Sequence, residues 1–166
     1  YLLARATIRA AREQDALFPV VVNLASMEPL DEDSGELCFG RMVHEGTDTG
    51  PFPVEPEKLN SGYALAETVL VERFEARRAT AERVNQAFVD ARLGSVRESY
   101  RMKISRKQIL LESARMRNQP ASYIRMLEGT IRNLTAEQQR REAEIVELRS
   151  VTAEHVPIAT GLLRVS

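Results

Sequence analysis

The chain has a single cysteine, Cys38, and no tryptophan. One cysteine excludes a disulfide framework within the chain, and a reducing, cytoplasmic setting fits. Aromatic residues make up only 5% of the sequence, too few to support a row of exposed rings for stacking single-stranded bases. No apolar run approaches the roughly 18 residues that span a bilayer, so no membrane contact is expected. No signal-peptide pattern is visible. Walker and GxGxxG phosphate loops are missing, as are the serine-hydrolase elbow and HExxH. Within these residues there is no basis for ATP binding, a cofactor or a catalytic centre, and the chain is read as non-enzymatic. The sequence opens at Tyr1, already inside a strand-like pattern, and is read as a piece of a larger protein.

What is present is unevenly distributed. The net charge is -1 over 166 residues. Residues 1–60 hold 5 Lys/Arg against 11 Asp/Glu, and residues 61–117 hold 12 against 7. An acidic end is thus joined to a basic middle, a pattern that points to different partners or to a long helix rich in both signs.

The opening "YLLARATIRA" alternates. Leu2, Ala4, Ala6 and Ile8 fall on one side and Arg5, Thr7 and Arg9 on the other, the period of a half-buried strand. "REQDA" breaks the pattern. "LFPVVVNLAS" reads as a second strand with Pro19 near its start, "EPLDEDSGE" as a turn around Ser34-Gly35, and "LCFGRMV" as a third strand. A connector rich in proline and glycine follows.

From Tyr63 the period changes. Ala66, Leu70, Phe74, Arg77, Ala81, Val84 and Phe88 recur at helical spacing, with Asn60 or Ser61 able to cap. No proline interrupts the chain between Glu57 and Pro120, so the helix can run to about Asn118. Gly94 costs about 1 kcal/mol relative to alanine, and a kink or break is expected there. Beyond Asn118 and Pro120, Ile124, Leu127, Ile131, Leu134, Gln138, Arg141, Ile145 and Leu148 follow a strict 3-4 spacing. That is a coiled-coil seam, and the preceding helix is its natural partner. "HVPIATGLLRVS" reads as a closing strand through Ile158 and Val165, with Gly161 as a bulge.

The fold class is therefore α+β. A small antiparallel sheet is expected from 1–43 and 155–166, a connector over 44–62, and a projecting antiparallel helical hairpin over 63–150 with breaks near 94–95 and 118–120. The arms are assigned to 63–93 and 120–149, which places 95–117 at the far tip as a separate helix or a continuation.

Three constellations are candidates for chemistry. Cys38, His44 and His155 lack the paired spacing of a zinc site. Glu28, Asp31, Glu32, Asp33 and Glu36 do not match a calcium loop, which needs glycine and glutamate at fixed positions. The third is "SVRESYRMKISRK", where Arg97, Arg101, Lys103, Arg106 and Lys107, with Arg92 just upstream, oppose a single Glu98. Such a stripe neutralises phosphates without reading sequence. It can equally be a solvated helix face paired with nearby carboxylates. The apolar heptads leave a further alternative, a structural coiled-coil module that assembles or dimerises through Ile124, Ile131 and Leu134.

The run "IRMLEGTIRNLTAEQQRREAEIVELRS" followed by "VPIATGLLRV", with "LFPVVVNLAS" ahead of the helices, resembles the C-terminal region of bacterial Swi/Snf-type helicase-like ATPases of the RapA/HepA-like group. The resemblance implies a small sheet, a long helical hairpin and a final strand. It also implies an accessory role beside a DNA-translocating motor, with contacts to a DNA or RNA backbone or to a protein partner such as RNA polymerase. ATP and magnesium would belong to the parent motor, whose motifs match nothing here, so no catalytic residue is carried over.

Overall fold

β1 (Leu2–Arg9) forms where the alternation places it. Leu2, Ala4 and Ala6 turn inward and are almost fully buried, while Arg5 and Arg9 stay exposed. β2 (Glu13–Val20) pairs with β1 antiparallel, matching Leu2 to Val20 and Arg9 to Glu13. β1 ends at Arg9, ahead of "REQDA", and Glu13–Ala16 of that stretch open β2. Glu13 lies opposite Arg9 and Asp15 opposite Thr7, and Asp15 accepts hydrogen bonds from the Thr7 hydroxyl (2.6 Å) and the Arg5 guanidinium (2.8 Å). Pro19 lies near the end of β2, on an edge strand, where a missing donor is tolerated.

The computed structural model describes residues 1–11, 13–48, 50 and 53–164. β3 (Val22–Asn23) and β4 (Glu28–Pro29) make a two-residue ladder across a turn in which Met27 has φ 55°. Next comes α1 (Glu32–Glu45), where "LCFGRMV" was expected to be a strand. The reason is local. The Asp31 carboxylate accepts the backbone N–H of Ser34 at 2.9 Å, and Glu32 and Asp33 occupy the positive first turn. The acidic run is thus a helix start and not a hairpin turn. Gly35 is buried, and a Cβ there would meet the Pro19 carbonyl at 3.5 Å.

α2 (Pro56–Met116) and α3 (Ala121–Glu147) follow, then β5 (Thr152–Thr160). α2 starts with proline in its first position, which forgoes only a donor that a helix start leaves unpaired anyway. The start therefore precedes Asn60. β5 pairs antiparallel with β1, giving the order β2-β1-β5, and an irregularity falls at Leu3/Ala4 and not at Gly161. Val165, expected in this strand, lies outside the described residues.

The chain divides into two compact units, Tyr1–Ala81 with Thr152–Ser166, and Glu82–Val151. In the first, Leu2, Ala4, Ala6, Phe18 and Val20 of the sheet enclose Ala66, Leu70 and Phe74 of α2. Arg77 stacks its guanidinium over Phe18 at 4.6 Å and pairs with Glu32, while Arg73 donates to the Leu30 carbonyl at 2.5 Å. α1 is thereby tied to the helix.

The second unit is an antiparallel hairpin of α2 and α3. Val89 and Leu93 pack with Ile145, and Leu111 and Ala114 with Leu127, Ile124 and Ile131. The arms differ from the expectation. Residues 95–116 do not form a separate tip; they belong to α2 and lie along α3, and the turn is at 117–120. Asn118 turns the chain with φ 48°, and Gln119 N–H closes onto the Ala114 carbonyl at 3.0 Å. Asn118 thus ends α2, and Pro120 precedes the first residue of α3. Val84 and Phe88 are exposed, because the buried positions of this part of α2 are Asn85, Val89 and Leu93. On α3 the polar step passes through Gln138, Arg141 and Glu142; Arg141 is exposed, and its guanidinium reaches the Tyr100 hydroxyl of α2. The Asn85 amide donates to the carbonyl of Leu148 at 2.8 Å, satisfying a group that the end of α3 leaves open.

α2 continues through Gly94 without a break, and a Cβ at Gly94 would meet nothing within 4 Å. Gly94→Ala should therefore stabilise the hairpin by about 1 kcal/mol, read as a rise in its urea midpoint. Leu127→Ala should cost about 2–5 kcal/mol in the same titration, since Leu127 is 2% exposed within the seam.

Candidate nucleic-acid interface

Seam geometry decides which cations of "SVRESYRMKISRK" are available. Arg97 is the residue most firmly engaged. Its guanidinium donates to Glu142 of α3, with contacts of 2.8 and 2.9 Å. Glu142 also accepts from Gln138 at 2.8 Å. Arg97 first and Gln138 second hold the Glu142 carboxyl below its ordinary value of 4.5. Arg101 pairs within α2 with Glu98 at 2.8 Å. Lys103 sits 4.8 Å above the Tyr100 ring, and Arg92 is 6.0 Å from the Phe88 ring centre, the weak end of that interaction.

Arg106 is exposed and Lys107 half-buried along the seam, and neither has an ion pair among the described residues. Of the six candidates, Arg92, Lys103, Arg106 and Lys107 have no carboxylate partner among the described residues, while Arg97 and Arg101 do. The basic stretch lies midway along the hairpin and not at its turn, so the expected basic tip is corrected to a basic face of α2.

Tyr100 shows why this stretch cannot be shed from the fold. It is buried to 8% exposure, and burial first, then its hydrogen bond to Glu137 of α3, push its hydroxyl above the ordinary value. Arg149 at the end of the hairpin binds Asp90 of α2 at 2.7 Å. A hydrogen bond from Gln86 and that from Arg149 hold the Asp90 carboxyl low.

Sequence reasoning missed the apolar outer side of α2. Val84, Phe88, Met102, Ile109 and Met116 are 63, 40, 51, 62 and 78% exposed. Met102, Ile109 and Met116 are seven residues apart, a spacing that could have revealed them. Met102 and Ile109 each stand two residues from a buried seam position, Tyr100 and Leu111. At 100° per residue they are turned about 160° from α3.

The other candidates come to little. Cys38 is half-buried in α1, His44 is exposed in its last turn, and the His155 ring lies against Phe74 at 4.6 Å. Among the described residues no three His, Cys, Asp or Glu side chains form a group able to hold a metal. A cavity of about 650 Å³ in the first unit is lined mainly by aliphatic groups such as Leu2, Val21, Leu24 and Leu59, with Cys38 and Tyr63 at its wall. It brings no acid and base together. No described helix is long and apolar enough to cross a membrane.

No family model matches this chain, and no curated protein or solved structure is significantly similar to it.

The Arg97–Glu142 pair predicts a pH dependence. A carboxyl held low when folded adds stability that is present above its ordinary value and is lost as pH falls through the depressed one. The urea midpoint of the hairpin should exceed that of Glu142→Gln above pH 4.5 and converge with it in more acid solution. Equal midpoints at neutral pH would show that the pair contributes nothing, as many exposed pairs do.

Proposed function

We propose that this chain is a non-catalytic contact module whose hairpin engages an anionic partner through the basic face of α2. The resemblance noted in the sequence would make it the accessory region of a helicase-like ATPase, touching nucleic acid or a protein associated with the motor. The observation that carries the reading is a group of cations on one stretch of α2, Arg92, Lys103, Arg106 and Lys107, that have no carboxylate partner among the described residues. The hairpin itself is rigidly specified by its seam, so these charges are displayed on a fixed frame. A fixed array of cations gains affinity by releasing counterions from a polyanion.

A second reading, a structural coiled-coil module, draws on the exposed outer side of α2. Ile124 and Ile131 are engaged within the chain, packed with Leu111, Ala114 and Leu127, so assembly would have to use that outer side. Sedimentation separates the readings: a contact module stays monomeric alone, whereas an assembly module self-associates.

The test is an anisotropy titration of the chain with labelled duplex DNA and with heparin, at about 50 and about 200 mM salt. Binding should weaken steeply with salt and fall at least about tenfold in the Arg92→Glu, Lys103→Glu, Arg106→Glu triple variant. Arg97→Ala should instead act mainly on hairpin stability. If no anionic probe binds even at the lower salt, the contact reading fails.

A further inference from the structure

The basic face and the exposed apolar residues lie on the same stretch of α2. We infer that this outer face is a docking site for an acidic amphipathic helix of a partner protein. The inference rests on the contact reading above and names the partner's chemistry.

The apolar element is a stripe. Val84, Phe88, Met102, Ile109 and Met116 are all exposed, and they fall on the 4-3 spacing that keeps one side of a helix facing a partner helix. The same spacing also takes in Ala91, Ser95 and Glu98 between Phe88 and Met102, then Ser105 and Glu112, all exposed, so the large apolar groups alternate with small and acidic ones. The stripe spans about 48 Å at 1.5 Å per residue, the reach of a helix of about thirty residues. On α3 the exposed apolar residues do not line up in this way: Tyr123, Met126 and Val146 are 39, 53 and 44% exposed, but Asn133, Arg140 and Glu147, which follow Met126 at intervals of seven, are polar and exposed. Beyond Met126 that side of α3 looks as a solvated arm does.

The charges decide the occupant. Arg92 lies four residues after Phe88. Arg101 and Lys103 bracket Met102. Arg106 lies four after Met102 and three before Ile109, so it neighbours both. Arg92, Arg101 and Arg106 thus take the flanking positions where coiled coils choose partners by charge, and Lys103 adds charge one step further round. Arg101 is partly neutralised by Glu98, which itself lies in the stripe, whereas Arg92, Lys103 and Arg106 have no ion pair among the described residues. A second copy of the chain is a poor occupant, because its own Arg92, Lys103 and Arg106 would be brought up against these. A duplex is also a poor fit, since its phosphates cover none of the apolar stripe. A helix with leucine-like residues in its seam and carboxylates on its flanks satisfies both elements.

The full chain of 166 residues is titrated by calorimetry with a synthetic peptide of about four heptads, carrying leucine at a and d and glutamate at e and g. Its lysine counterpart and duplex DNA are the comparison probes. The glutamate peptide should bind at least about tenfold more tightly than the lysine peptide, and Met102→Gln with Ile109→Gln should cost about tenfold or more. Both positions are exposed and glutamine is a good helix former, so circular dichroism should show unchanged helicity. Glutamate-peptide binding that is lost in the Arg92→Glu, Arg106→Glu variant but untouched by the stripe variant overturns the helix-docking inference and leaves the contact reading standing. DNA binding without glutamate-peptide binding overturns it in favour of nucleic acid. Binding of neither probe overturns both.

Discussion

The seam between α2 and α3 decides what the hairpin can show to anything outside it. Val89, Leu93, Leu111, Leu127 and Ile145 fix the angle at which each helix is turned. Once that angle is set, every other side chain is assigned to an edge or to the outer side. Arg97 lands at an edge within reach of Glu142 and is drawn into the fold. Arg106 lands away from α3 and keeps its charge. A rotation of α2 by half a turn would reverse the two fates, which is why the function of the basic stretch is a question about apolar packing first.

The chemistry of the chain is correspondingly spare. Its polar interactions serve register and helix termination: Asp31 starts α1, Asn85 closes α3, and Asp15 ties β2 to β1. Most ion pairs are exposed and individually worth little. Their value lies in which cations they occupy. Burial of a few aliphatic residues per turn carries the stability, and a binding surface is left on top of it at small cost, with large apolar groups accepted in water along α2.

Much of this was legible from residues alone. The alternation of β1 and the 3-4 spacing of α3 were sufficient for an α+β fold with a hairpin, because Leu2, Ala4 and Ala6 of β1 and Leu127 and Ile145 of α3 are buried as that spacing requires. α1 was not legible, since a capping aspartate followed by acids and a glycine also spells a turn; the difference lies in the buried contact of Gly35 with β2. α2 was legible as a helix but not in its facing. It carries two apolar stripes, and spacing does not say which one is covered. Val84 and Phe88 were therefore placed inside when α3 in fact covers Asn85, Val89 and Leu93. Gly94 was read as a break on intrinsic cost alone, which the surrounding turns of α2 override.

The Asn85 amide at the end of the seam sets a limit of another kind. Aliphatic seams repeat, so two arms joined by one turn can in principle slip past each other by seven residues with little change in buried area. Slippage here would carry Asn85 away from the Leu148 carbonyl and strand a buried amide without its partners. The arms therefore behave as a ruler with an end stop, of fixed length under load. A force applied at the Asn118 turn is transmitted along the hairpin as a strut would carry it, until the seam itself gives way.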